Sequence, residues 1–186
     1  MLSLDIGTRN LGYSIIDKEQ HIVLEYNLFD IQSELDKNKK DKRAVVIRRP
    51  IVIIDFLNKL VDEFKITDFV IEKQNINNPL AMNIQSTIIT YALMKNITVI
   101  SFDPKTKFDI NNLMKLKLNL PIETIQQFTV YNSSVKEHKK KIVTICREVL
   151  KSQKEIVDLT EHFESFKKKD DISDSMIQGL ISSYNK

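Results

Sequence analysis

Cysteine is almost missing from this sequence: its 186 residues include one, Cys146. A lone thiol cannot close an internal bridge, which excludes a disulfide-stapled secreted domain and a cysteine zinc cluster and suits a reducing compartment. Glycine is nearly as scarce, with three residues, Gly7, Gly12 and Gly179. Sites that wrap a nucleotide in bare backbone have few places to form here, because backbone approaches phosphates closely only where side chains are absent. Long apolar runs are also lacking. The most apolar stretch, 50–60, is interrupted by Asp55 and Asn58, and no signal-like or membrane-length segment is found. The expectation is a soluble, intracellular protein with no membrane contact.

What the chain does have is a core and clustered charge. At 42% hydrophobic, 186 residues can bury one sizeable core, and the length fits a single domain over 1–186 better than two. The net charge is only +3. The basic residues nonetheless cluster at 37–49, 136–141 and 167–169, and local clustering recruits phosphate backbones more effectively than the sum does. The plain alternative is that lysine runs are solvated surface.

The apolar pattern predicts a mixed fold. Residues 2–6, 12–17 and 20–29 read as three antiparallel strands in a meander, and 31–44 as a loop or short helix. Pro50 suits a helix start, with Ile53, Ile54, Leu57, Leu60, Val61 and Phe64 at helical spacing behind it. A strand over 68–72, a helix over 79–95 and a strand over 97–102 follow. The pattern weakens over 104–135, where short helices should cover part of the surface. A lysine-led helix over 136–152 buries Ile142, Ile145, Cys146 and Val149, and a last helix runs from about 171 to 184. The reading is α/β: one mixed five-stranded sheet, three antiparallel strands then parallel ones, flanked by helices.

The carboxylates carry the chemistry. Asp5 lies in an apolar strand whose Leu2, Leu4 and Ile6 point one way and whose Ser3, Asp5 and Gly7 point the other. Glu72 ends the apolar run "FVIE", where an acid is costly unless paired, solvated or bound to a cation. Asp171 and Asp174, three apart in "DDISDSM", share one helix face. Converged, such acids would repel one another, and divalent ions resolve that repulsion while supplying catalysis. Each also has a structural alternative: Asp5 bonded to backbone, Glu72 paired with a lysine, Asp171 or Ser173 capping the last helix.

The stretch "DIGTRNLG" resembles the first phosphate loop of the actin, Hsp70 and sugar-kinase superfamily. Those enzymes need a second glycine-rich phosphate loop, and the one glycine left, Gly179, falls in the last helix, so an ATPase with a nucleotide cofactor is a remote reading. The same strand, turn and acid open the ribonuclease H-like nucleases. The chain resembles the RuvC-type Holliday junction resolvases, within them the poxvirus and large-DNA-virus branch, on "LDIGTRNLGYSIID", "FVIEKQ", "KKKIV" and "DDISDSM".

The resemblance implies a ribonuclease H-like nuclease domain in which 104–135 is a family-variable insertion. It makes Asp5, Glu72, Asp171 and Asp174 the metal-binding catalytic acids and Lys140 the active-site lysine, with Lys139 and Lys141 one register away. Four carboxylates can hold two Mg²⁺ or Mn²⁺ ions, one activating water and the other stabilising the leaving 3′-oxygen. Asp5 would bridge them, and Lys140 would stabilise developing charge. The implied activity is resolution of four-way DNA junctions, leaving 5′-phosphate and 3′-hydroxyl ends, by a homodimer whose symmetry matches the substrate. Arg9, Asn10, Lys73, Lys139 and Lys141, with Arg48 and Arg49, would contact DNA. Phe108, Phe128 and Tyr131 could stack on unpaired bases or belong to the core. A viral source would place the protein in the host cytoplasm. Two alternatives stay open: a ribonuclease H-type enzyme on RNA–DNA hybrids, and a non-catalytic DNA-binding module.

Overall fold

The computed structural model describes residues 1–37, 45–118, 120–129, 134–153 and 157–184. Strands β1 (Leu2–Ile6), β2 (Asn10–Asp17), β3 (Ile22–Asp30), β4 (Asp68–Glu72) and β5 (Thr98–Phe102) form one sheet in the order β3-β2-β1-β4-β5. The first three pair antiparallel, and β1–β4 and β4–β5 pair parallel. This is the mixed sheet that the apolar pattern predicts. The helices are α1 (Ile31–Lys37), α2 (Val45–Phe64), α3 (Pro79–Met94), α4 (Ile110–Lys115), α5 (Ile122–Phe128), α6 (Val135–Ser152), α7 (Val157–Ser165) and α8 (Asp170–Tyr184), with a 3₁₀ turn at Pro104–Phe108. Among the described residues no helix is long and apolar enough to cross a membrane.

Strand alternation divides the core in two. Leu2, Leu4, Ile6, Phe69 and Ile71 pack with α1, α2 and α3 on one face. Ile16, Val70 and Phe102 pack on the other with α4, α5, α6 and α8. The period of two along β1 and β4 therefore sends Asp5 and Glu72 to the α8 side.

Two sequence expectations are corrected. Pro50 does not start a helix: it lies inside α2. Its ring removes one main-chain hydrogen bond near the helix entrance, and burial of Ile53, Phe56, Leu57 and Leu60 along one stripe outweighs the loss. Helix α7 goes unpredicted because its stretch is rich in acids, with Leu159 and Phe163 one turn apart as its main apolar signal. Phe163 is fully buried against Tyr26, whose hydroxyl donates to the Leu159 carbonyl.

Helix α8 lies across β1 and β2 at very short range, and glycines make the space. A Cβ on Gly179 would stand 2.7 Å from Ser3 Cβ and 2.9 Å from Ile16 Cγ1. A Cβ on Gly12 would overlap the main-chain carbonyl of Asp171. Gly179→Ala improves intrinsic helix propensity by about 1 kcal/mol, but overpacking against strand residues that cannot retreat costs about 1–3 kcal/mol. The expected net cost of up to about 2 kcal/mol lowers the melting temperature by up to about 8 °C in thermal denaturation; a higher value contradicts the tight contact.

Candidate active site

Sheet register places the first two acids. Asp5 is the partner of Gly12 across the β1–β2 ladder, and it follows the Leu4–Ile71 pair of the β1–β4 ladder, which sets it beside Glu72. After β1 the chain turns at once: the Gly7 amide donates to the Asn10 carbonyl at 3.0 Å. A side chain at position 7 would begin 2.6 Å from that carbonyl, so the turn next to Asp5 requires glycine for space. At the end of β4, the main-chain carbonyl of Glu72 accepts from the Gln74 and Gln85 side-chain amides at 3.2 and 3.4 Å. Gln74 of "IEKQ" thereby helps fix the strand end that carries the acid.

The other two acids come from the first turns of α8. Ser14 Oγ and Ser175 Oγ lie 2.8 Å apart, and Gln178 Nε2 donates to the Leu4 carbonyl at 2.7 Å. These bonds and the Gly12 contact fix the rotation of α8 on the sheet. Asp171 and Asp174, one turn apart, then share a field with Asp5: burial, then Asp174, Glu72 and Asp171 push the Asp5 carboxyl well above the ordinary range, against the pull of Lys107.

Lys107 is the residue that sequence reasoning misses. Its ammonium lies inside the acid group, donating to Glu72 Oε2 and, at 2.6 Å, to Asp174 Oδ1. The residue is only 5% exposed. Burial alone would lower its pKa, yet Asp174, Glu72 and Asp5 together raise it, so it is held as a cation. In sequence, Lys105 and Lys107 of "PKTKF" are indistinguishable; the 3₁₀ turn alone decides which faces inward.

The remaining expected residues are spread around this centre. Arg9 and Asn10 line an adjoining cleft with Gly7, Lys168 and Asp171, where Lys168 pairs with Asp171 at 2.5 Å. Lys73 is exposed just after β4. Lys140 is exposed on α6, in a groove it lines with Lys136, Lys139, Arg147 and Lys167. Lys139 bonds Asp170 at the start of α8, which holds the Asp170 carboxyl low although burial opposes this. Lys141 is partly buried on α6. Arg48 donates to the Leu35 carbonyl at 3.3 Å within its own fold. Phe128 belongs to the core and Phe108 packs against it, which removes Phe128 as a base-stacking surface. Tyr131 and residues 38–44 of the first basic cluster lie outside the described residues.

Carboxylates are donors for hard divalent cations, and Glu72, Asp171 and Asp174 lie near enough to act electrostatically on Asp5. Burial first, and then the neighbouring carboxylates, raise Asp5, and a nearby positive charge would relieve both. Among the described residues, no three of these side chains are gathered closely enough to hold an ion as they stand; Lys107 supplies the compensating charge instead. The fit is therefore one of chemistry and place, with Lys107 in the way.

Metal-free protein should report this burial and repulsion. Because the folded pKa of Asp5 is raised, its ionisation opposes folding increasingly as pH rises above the unfolded value of about 3.9. In EDTA at pH 8, Asp5→Asn is expected to melt above wild type, by about 2–4 °C for each kcal/mol relieved. The gain should vanish towards pH 4; a gain that is constant across calorimetric scans from pH 4 to 8 contradicts the assignment.

No protein-family model matches the sequence, and no curated protein matches it. Solved structures do. Fowlpox virus resolvase, determined with its substrate Holliday junction DNA, superposes with a TM-score of 0.62 at 16% identity, covering 99% of this chain and 96% of that one. Thermus thermophilus RuvC with a Holliday junction substrate gives 0.58 at 12%, over 100% and 95%. The yeast mitochondrial Holliday junction resolvase gives 0.60 at 16%, over 98% and 82%. The likeness extends over nearly all of each chain and includes the mixed sheet described above: this chain has the ribonuclease H-like fold of the RuvC-type Holliday junction resolvases.

Proposed function

We propose that the protein is a divalent-metal-dependent endonuclease that resolves four-way DNA junctions by paired phosphodiester hydrolysis. The observation that carries this reading is that Asp5 of β1, Glu72 of β4, and Asp171 and Asp174 of α8 lie on one side of the sheet, with Lys107 bonded to Glu72 and Asp174, in a fold shared with two proteins solved on junction DNA. Those four residues would hold Mg²⁺ or Mn²⁺, two per site. When bound, the ions would activate water and stabilise the leaving 3′-oxygen, giving 5′-phosphate and 3′-hydroxyl ends.

The chain's own groups divide the remaining work. Lys107, in contact with two of the acids, takes the role of active-site lysine that the resemblance gave to Lys140; no hydrogen bond links the Lys140 ammonium to any of the four acids. Arg9 and Asn10, beside Asp171, meet the strand being cut. Lys136, Lys139, Lys140 and Lys167 form a groove for the phosphates of an arm. Four-way junctions have two-fold symmetry, so paired cuts call for two copies related by a two-fold axis. The surface that fits a second copy lies on α2 and α3, where Ile51, Leu93 and Met94 are 48%, 68% and 80% exposed beside a cavity of about 460 Å³ lined by Pro50, Ile54 and Tyr91.

One gel tests the activity. A labelled synthetic junction and an RNA–DNA hybrid are incubated with Mg²⁺ or Mn²⁺: symmetric nicks in the junction are expected, and none with EDTA. Asp5→Asn and Asp174→Asn should each lower the rate by at least about 10²–10³-fold, the scale of losing one preorganised charge. Met94→Glu should convert paired cuts into single nicks. Cleavage of the hybrid alone selects a ribonuclease H-type enzyme, and binding without cleavage selects a non-catalytic module.

A second measurement separates the lysines. Lys140→Ala should weaken junction binding and lower the slope of log K against log salt by about 0.9, one phosphate contact. Its single-turnover rate at saturating protein should fall far less than that of Lys107→Ala. Equal rate losses return Lys140 to the reacting centre.

A further inference from the structure

We infer that Lys107 is a resident stand-in for the divalent cation: its ammonium holds Glu72 and Asp174 together in the ion-free protein and leaves them when the ion arrives. The inference rests on the metal-site reading above and adds a mechanism by which the site changes hands.

The geometry supports it in three ways. First, Lys107 is more deeply placed than its partners. Its side chain is 6% exposed, against 19% for Glu72 and 28% for Asp174, so it is not a surface lysine reaching inward to a convenient acid. The nearby pairs differ in kind: the side chains of Lys139 and Lys168, bonded to Asp170 and Asp171, are 53% and 51% exposed. Solvent screens such pairs and they contribute little. Second, Lys107 touches acids from both β4 and α8, so one ammonium bridges the elements an ion would bridge. Asp5 adds attraction at longer range. Third, an ion on the same two carboxylates would lie within a few ångström of the ammonium. Two cations that close repel in a site shielded from water, so the two occupancies exclude each other.

The side chain is placed to move. Lys107 lies near the end of the single 3₁₀ turn Pro104–Phe108, which closes on Asp109 in an extended conformation. It is therefore not locked into a long helix, and four rotatable side-chain bonds let its charge be re-aimed without moving β4 or α8. Freed from the carboxylates, the same ammonium is available to a phosphate at the mouth of the site.

The experiment uses the whole 186-residue chain and no DNA. In wild type, lysine reactivity towards reductive methylation is read by mass spectrometry in EDTA and with saturating Mn²⁺. Lys107 is expected to be protected in EDTA and to rise to the level of the exposed lysines with Mn²⁺, while Lys139 stays unchanged. In parallel, Mn²⁺ affinity is measured by electron paramagnetic resonance titration for wild type, Lys107→Met and Lys139→Met. Lys139→Met removes an equal charge nearby and controls for the general field. Lys107→Met should bind at least about 10-fold more tightly than wild type, the equivalent of about 1.4 kcal/mol of removed competition, and Lys139→Met much less so. An affinity for Lys107→Met at or below that of Lys139→Met overturns the inference. If Lys107→Met does not fold, the wild-type footprint decides, and continued protection of Lys107 at saturating Mn²⁺ overturns the inference alone. Failure of wild type to bind Mn²⁺ at all overturns the metal reading as well.

Discussion

The contact on which the structure most depends is the close approach of α8 to β1 and β2. It exists because two side chains are missing: a Cβ at Gly12 would strike the Asp171 backbone, and one at Gly179 would strike Ser3 and Ile16. Close packing of helix on sheet contributes through dispersion and apolar burial. Here it also sets position. Once α8 is pressed down and its rotation fixed by Ser14–Ser175 and Gln178–Leu4 bonds, Asp171 is held against Gly12, the strand partner of Asp5, with Asp174 one turn farther along.

That placement has an electrostatic cost, which the fold meets with Lys107 rather than with solvent. Burial and the neighbouring carboxylates raise the proton affinity of Asp5. One buried ammonium offsets part of this, and its own desolvation is compensated only because two acids reach it directly. The outer pairs, Lys139–Asp170 and Lys168–Asp171, trim the field at the rim. Lys136 and Lys140, elsewhere on α6, are exposed.

Much of this was legible in the residues. Period-two alternation along "LSLDI" and "DFVIE" assigns both strand acids to one face, and the spacing of Asp171 and Asp174 assigns them to one helical stripe. Two strand acids and a helical pair are visible because each breaks an apolar pattern where charge is expensive. Lys107 breaks no pattern. It sits in a polar stretch where lysine is ordinary, and its burial follows from where the 3₁₀ turn points. Helix α7 escaped for a related reason: its packing rests on Phe163 and Tyr26, residues 137 positions apart, and local sequence carries no trace of so distant a partner. Pro50 misled because a local rule about helix starts yielded to burial farther along the same helix.

The order of the elements has a consequence for the life of the chain. Gln178 bonds Leu4 and Ser175 meets Ser14, separations of 174 and 161 residues. Such long loops close late. During synthesis the sheet can be assembled while Asp5 and Glu72 still lack their helical counterparts, so a nascent chain has no complete acid centre until residues 170–184 have left the ribosome. The acid group is thereby completed only when α8 docks, and a truncated product that ends before α8 lacks Asp171 and Asp174.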